Sequence, residues 1–143
     1  QFASGNRAGS FRERLLHAVE QHAVAYEDQG NFFRAMQIDR WNSEVLRKSY
    51  DRDNHRLRKD LEDWLPELKS LSPHRREAVD TAASFEAWQR LREHQHQSVE
   101  ASIDIVYDMI KALMTAPQLK PGQGSLYLLL PENYCLYSPV NER

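Results

Sequence analysis

Residues 84–114, SFEAWQRLREHQHQSVEASIDIVYDMIKALM, decide the fold. In the first part Phe85, Trp88 and Leu91 stand three residues apart, so three large apolar side chains follow one side of a helix. The last part opens at Ser98, a residue suited to an N-cap, with Glu100 in the first turn. Its polar residues, Glu100, Asp104, Asp108, Lys111 and Thr115, fall on one narrow stripe. Val99, Ile103, Val106, Ile110 and Leu113 form one apolar side, and Ile105, Met109 and Ala112 form another. A surface helix of a monomer shows water a much wider polar face. The spacing therefore predicts a helix buried on two sides, one against its own domain and the other against a second copy of the chain.

Between these two helices stands EHQHQ, residues 93–97. His94 and His96 are two positions apart; on a helix they point away from each other, and they can chelate together only in extended backbone. No HExxH or CxxC accompanies them. The segment reads as a polar connector, and neither a metal site nor a cofactor is expected.

Upstream, Ser72-Pro73 marks a helix start, an N-cap followed by proline at the first helical position. This helix is expected to run on to Arg92, with Ala78, Ala82, Ala83 and Ala87 letting another helix approach closely. Before it, Asn42 or Ser43 offers an N-cap for a long amphipathic helix reaching about Leu68, through Leu46, Tyr50, Leu57 and Leu61. Asp53 and Asn54 interrupt that stripe where apolar residues are due; such a patch is either solvent-exposed or lines a cavity. Pro66 predicts a kink or fraying near the end.

The first helix begins at Ser10, with Glu13 completing a capping box, and its stripe runs Phe11, Leu15, Val19, His22, Tyr26. Gly30 is expected to end it. His22 reads as a hydrogen-bonded core histidine, and His17, about 140° around the helix, forms no chelating pair with it. The segment NFFRAMQIDRW then supplies Phe32, Phe33, Met36 and Trp41. Residues 1–9 read as a Gly/Ser/Asn-rich linker, 10–116 as one helical domain, and 117–143 as an irregular C-terminal tail broken by Pro131 and Pro139.

The chain has 143 residues, 41% apolar and 28% charged, with a net charge of −2. That is the composition of a globular domain with its own core. The charge balance gives no overall attraction for nucleic acid or an anionic membrane. No apolar run approaches the ~20 residues of a bilayer span. The single cysteine, Cys135, fits a reducing compartment, and the expected location is the cytoplasm. The start QFASGNRAGS, without Met, reads as the edge of a piece of something longer. No GxSxG, Walker loop or GxGxxG is present, and an enzyme is not expected.

With the helices placed, residues 78–114, AVDTAASFEAWQRLREHQHQSVEASIDIVYDMIKALM, resemble the end of a tetracycline-repressor (TetR) family regulator. The matching pieces are Ser84 to Arg92, Ser98, and Ala112-Leu113-Met114, and the earlier helices extend the likeness over about residues 8–116. The resemblance implies an all-α orthogonal and antiparallel bundle, the effector-binding and dimerisation domain of a transcriptional repressor. In that family the last two helices pair with their copies in a four-helix interface. Here that expectation falls on Ala78, Ala82, Gln89, Ile105, Met109 and Ala112. DNA would be read only through an N-terminal helix-turn-helix, which this sequence does not contain. Two departures stand out: the family's interhelix turn usually contains glycine, and the tail after Ala116 lies outside the usual pattern.

The expected effector is a small apolar or amphipathic molecule. Phe33, Met36, Trp41, Tyr50, Phe85 and Trp88, bulky residues on the inward stripes of different helices, are the candidate cavity lining. Asp53, Asn54 and His22 are candidate polar anchors. The alternative is a helical protein-interaction module with a solid core, which predicts a monomer or weak dimer in isolation. A histidine-using helical metalloenzyme is a third reading, and it would require stoichiometric metal.

Overall fold

A computed structural model describes residues 6–117. Most of the expected linker and the tail beyond Pro117, Cys135 included, lie outside the described residues. Among the described residues the protein is all-α, with no strand: α1 Phe11–Asp39, α2 Glu44–Trp64, α3 Pro73–Ala82, α4 Phe85–Gln89 and α5 Val99–Thr115. A 3-10 turn, Pro66–Ser70, follows α2, and a π turn, Arg90–His94, follows α4. No helix among the described residues is long and apolar enough to cross a membrane.

Serines begin all five α-helices. Ser10 forms the capping box, its hydroxyl accepting from the Glu13 N–H at 3.3 Å while Glu13 Oε2 accepts from the Ser10 N–H at 2.8 Å. Ser43, Ser72, Ser84 and Ser98 each accept from the N–H three residues on. Each hydroxyl satisfies one of the backbone donors that a helix start leaves unpaired.

The helices α1 and α2 form an antiparallel hairpin, pinned at both ends. At one end Arg14 donates to the Trp64 carbonyl at 2.9 Å and pairs with Glu67. At the other the Arg40 guanidinium lies 4.5 Å from the centre of the Tyr50 ring. The other long packings set α5 against α1 and α3. The shared core runs from Leu15 and Val19 of α1 through Leu61 and Leu65, Val79, Phe85 and Trp88, to Val106 and Ile110.

Three boundaries differ from the sequence expectation. The first helix passes through Gly30 and ends at Asp39. A glycine inside a helix costs roughly 1 kcal/mol relative to alanine, and burial of Phe33 and Met36 beyond it outweighs that, since each such side chain contributes ~1.5–3 kcal/mol. The second helix stops at Trp64 rather than about Leu68. Leu65 precedes Pro66 and leaves helical geometry, with φ −125° and ψ 71°.

The helix opened by Ser72 breaks at Ala83 instead of reaching Arg92. Ser84 Oγ donates to the Thr81 carbonyl at 2.7 Å and accepts from the Ala87 N–H at 3.2 Å. One hydroxyl thus ends one helix and starts the next, competing with the helical ladder. Trp41 differs too: it sits in the α1–α2 turn and is 75% exposed, so it lies on no inward stripe. EHQHQ spans the end of the π turn and the link to α5. Within it His96 takes the left-handed conformation at φ 53°.

Candidate functional site

Two depressions flank the middle of α2. The first is a cleft of about 340 Å³. Its walls are His22 and Tyr26 from α1, Asn54, Leu57, Arg58 and Leu61 from α2, and Asp80, Thr81, Ala83, Ser84 and Glu86 around the α3–α4 break. The second is an open groove of about 520 Å³ between α1 and α2, with Phe32, Phe33, Asp53, Lys59 and Asp60 among its residues. Leu57 borders both. The Asp53-Asn54 interruption therefore has a structural outcome: Asn54 faces the cleft and Asp53 the groove.

The cleft is a charged site with an apolar floor. Arg58 donates to both Glu77 oxygens, at 3.1 and 2.7 Å, and lies 3.8 Å from both Glu62 and Asp80. Burial pushes the Asp80 carboxyl above its usual range; Arg58 opposes this, while Glu77, Glu62 and Glu86 add to it. The Tyr50 hydroxyl donates to the Glu86 carboxylate, and burial pushes the Tyr50 phenol up, with Glu86 reinforcing it. Tyr26 donates to the Ala83 carbonyl at 2.7 Å, which ties α1 to the end of α3. Its phenol is pushed up, chiefly by burial.

His22 is 6% exposed, and its Nε2 has no hydrogen-bond partner. The nearest charge, Asp60 Oδ2, is 3.6 Å away, beyond hydrogen-bonding distance. The histidine is buried as expected, and its Nε2 faces the Asp60 carboxyl, which it holds below the usual aspartate range.

The aromatic candidates cluster with one another rather than around an opening. Phe33 and Phe85 stack with ring centres 4.9 Å apart, and Tyr26 meets each of them edge-on at 5.5 Å. Trp88 is buried, its indole N–H donating to Glu27 at 2.9 Å. Met36 and Tyr50 are buried as well. Of the six, only Phe33 reaches the wall of either depression. His22 and Asn54 do line the cleft.

Sequence reasoning missed Arg58, Asp80, Thr81 and Glu86. Asp80 stands between Val79, which is buried, and the Ala82-Ala83 pair, also buried. A carboxylate on the border of an apolar stripe was the available signal.

The expected interface residues divide. Ala82 is buried in the core of its own chain, and Ala78, Gln89 and Ile105 are half-buried. Met109 is 36% exposed and Ala112 is exposed. Ser102, Val106 and Ile110, on the adjoining side of α5, are buried. Compared with family models, curated proteins and solved structures, the chain matches none of them.

Proposed function

We propose that the chain is the effector-sensing and homodimerisation domain of a TetR-like transcriptional repressor, with DNA read by a head that this sequence does not include. The observation that carries the reading is the divided character of α5. One side of the helix fills the core, and on the flank beside it Met109 and Ala112 are exposed while Ile105 is half-buried against the core. Two copies meeting on that face bury it by an isologous contact.

The cleft supplies the sensing element. It opens at the break between α3 and α4, and α3 packs on α5. A ligand that binds one arrangement of the α3–α4 junction more tightly than another shifts the population of α5 positions. In a dimer paired through α5, that shift alters the spacing of whatever the two copies carry.

The exposed apolar residues Phe32, Ile38, Trp41 and Val45, near the α1–α2 turn, favour a second reading, a module that docks a different protein there. Light scattering on the 143-residue chain at micromolar concentration separates the two. A mass of two chains is the expected result. A single-chain mass contradicts the repressor-domain reading and leaves the docking module.

A further inference from the structure

We propose that the α1–α2 turn and the outer face of α2 form a docking surface for an anionic lipid membrane, on which Ile38, Trp41 and Val45 enter the headgroup region while Lys48, Arg52 and Arg56 pair with lipid phosphates. The surface involves neither α5 nor the walls of the cleft, so the inference is independent of the sensor reading above.

The described residues leave five large apolar side chains exposed, and four of them, Phe32, Ile38, Trp41 and Val45, stand toward this end of the molecule. Ile38 belongs to the last turn of α1, Trp41 to the connecting turn and Val45 to the first turn of α2. They are 67, 75 and 76% exposed, and none of the three lines the cleft or the groove. The Arg40 guanidinium lies 4.9 Å from the centre of the Trp41 ring and 4.5 Å from that of Tyr50, which ties the turn carrying the indole to α2. The three apolar residues thus surround a hairpin turn, a convex tip rather than a groove. A specific protein partner needs about 800 Å² on each side with a close-packed centre, which one turn and two helix ends do not present. A lipid surface asks for no such complementarity, and tryptophan favours its interfacial layer.

Charge complementarity identifies the lipid as anionic. The whole chain carries −2, so the attraction is local. At ~100° per residue, Val45, Lys48, Arg52, Arg56 and Lys59 fall within about 80° of arc on α2, and all five are exposed. This row starts at the apolar tip and runs along the helix away from it. Asp63 is the one acid of α2 in that arc; it lies at the end far from the tip and pairs with Lys59 at 3.3 Å. Glu44, Asp51 and Glu62 fall at least about 40° outside the arc on one flank. On the other, Asp53 and Asp60 line the groove, with Arg56 and Lys59 at its exposed edge. Lys48 pairs with Glu44 at 2.8 Å, Arg52 reaches Asp53 only at 3.9 Å, and Arg56 has no carboxylate partner among the described residues. Exposed pairs of this kind contribute little, so lipid phosphates replace them at small cost.

The test mixes the 143-residue chain with vesicles of phosphatidylcholine alone and of phosphatidylcholine with an equal part of phosphatidylglycerol, and reads co-sedimentation and tryptophan emission. Trp64 and Trp88 are buried, so a blue shift on binding reports Trp41. The anionic vesicles are expected to bind on the order of tenfold or more tightly than the neutral ones, to shift the emission to the blue, and to release the chain as salt is raised. Lys48→Glu combined with Arg52→Glu and Arg56→Glu is expected to lower that affinity on the order of tenfold or more. Ile38→Ser combined with Val45→Ser, which keeps Trp41 as the reporter, is expected to lower it several-fold. All five substituted side chains are exposed, and circular dichroism checks the fold; if a variant does not fold, the two vesicle types on the unaltered chain decide alone. No binding to the anionic vesicles, equal binding to both types, no blue shift in the bound chain, or folded variants with unchanged affinity overturns the proposal. Binding to a DNA duplex by a chain that leaves the vesicles unbound overturns it as well, and assigns the basic row to nucleic acid.

Discussion

Glu27 shows how single residues hold this bundle together. It accepts from the Trp88 indole N–H at 2.9 Å and from Arg92 Nε at 2.8 Å, joining the middle of α1 to α4 and the π turn. Arg92 holds its carboxyl below the ordinary glutamate value, and Trp88 adds to the effect. A folded value below the unfolded one contributes stability that is complete above about pH 4.3 and is lost as pH falls through the folded value. Glu27→Gln should therefore cost about 1 kcal/mol near neutral pH, and melting curves should show the deficit shrinking below about pH 4. Phe85, stacked on Phe33 in the core, makes a second case. Phe85→Ala should cost about 3–5 kcal/mol in chemical denaturation without any ligand; a loss below about 1 kcal/mol would mean that the ring lines a void instead. The burial of Phe33, Met36, Tyr50, Phe85 and Trp88 was legible from helical spacing. Their mutual packing was not, because periodicity identifies the inward side of a helix but not what stands opposite it. Trp41 escaped the same logic for a local reason, since it lies in a turn, where helical spacing has no meaning.

Among the elements, the starts were more legible than the stops. Ser10, Ser43, Ser72 and Ser98 are visible as caps because a serine hydroxyl pairs with a backbone donor a few residues away, a strictly local event. Gly30 and Ser84 depend on what packs around them. Gly30 lies within α1, and a Cβ there would come within 2.8 Å of only the flexible Arg34 guanidinium. Gly30→Ala should therefore stabilise by about 0.5–1 kcal/mol, less whatever the exposed Arg34–Glu93 pair loses. His96 is the opposite case, an L-residue at φ 53° in the turn before α5. His96→Gly removes a left-handed strain of about 1 kcal/mol and should raise the melting temperature by a few degrees. The opposite substitutions make the pair a sharp test: one glycine is removed, one is added, and both changes stabilise.

At the scale of the whole molecule, the all-α bundle was legible because four amphipathic patterns with serine starts leave no other architecture to form. The cleft was not, since its walls come from three separated stretches, around Tyr26, Arg58 and Asp80, whose meeting depends on how the α1–α2 hairpin packs against the α3–α4 break. The two apolar sides of α5 lie between these extremes. Their existence is written in residues 99–115; the chain itself buries Val106 and Ile110, half-covers Ile105, and leaves Met109 and Ala112 exposed. The central claim is that the second side, at Ile105, Met109 and Ala112, is where two copies meet. Its most direct test is the solution mass of the Ile105→Glu, Met109→Glu double variant beside the unaltered chain, with circular dichroism to confirm helicity. Two carboxylates buried face to face across a two-fold contact are repelled and desolvated, so the account predicts an unaltered dimer and a variant that is monomeric with its helices intact. An unaltered chain that is already monomeric, or a variant that remains a dimer, would contradict it.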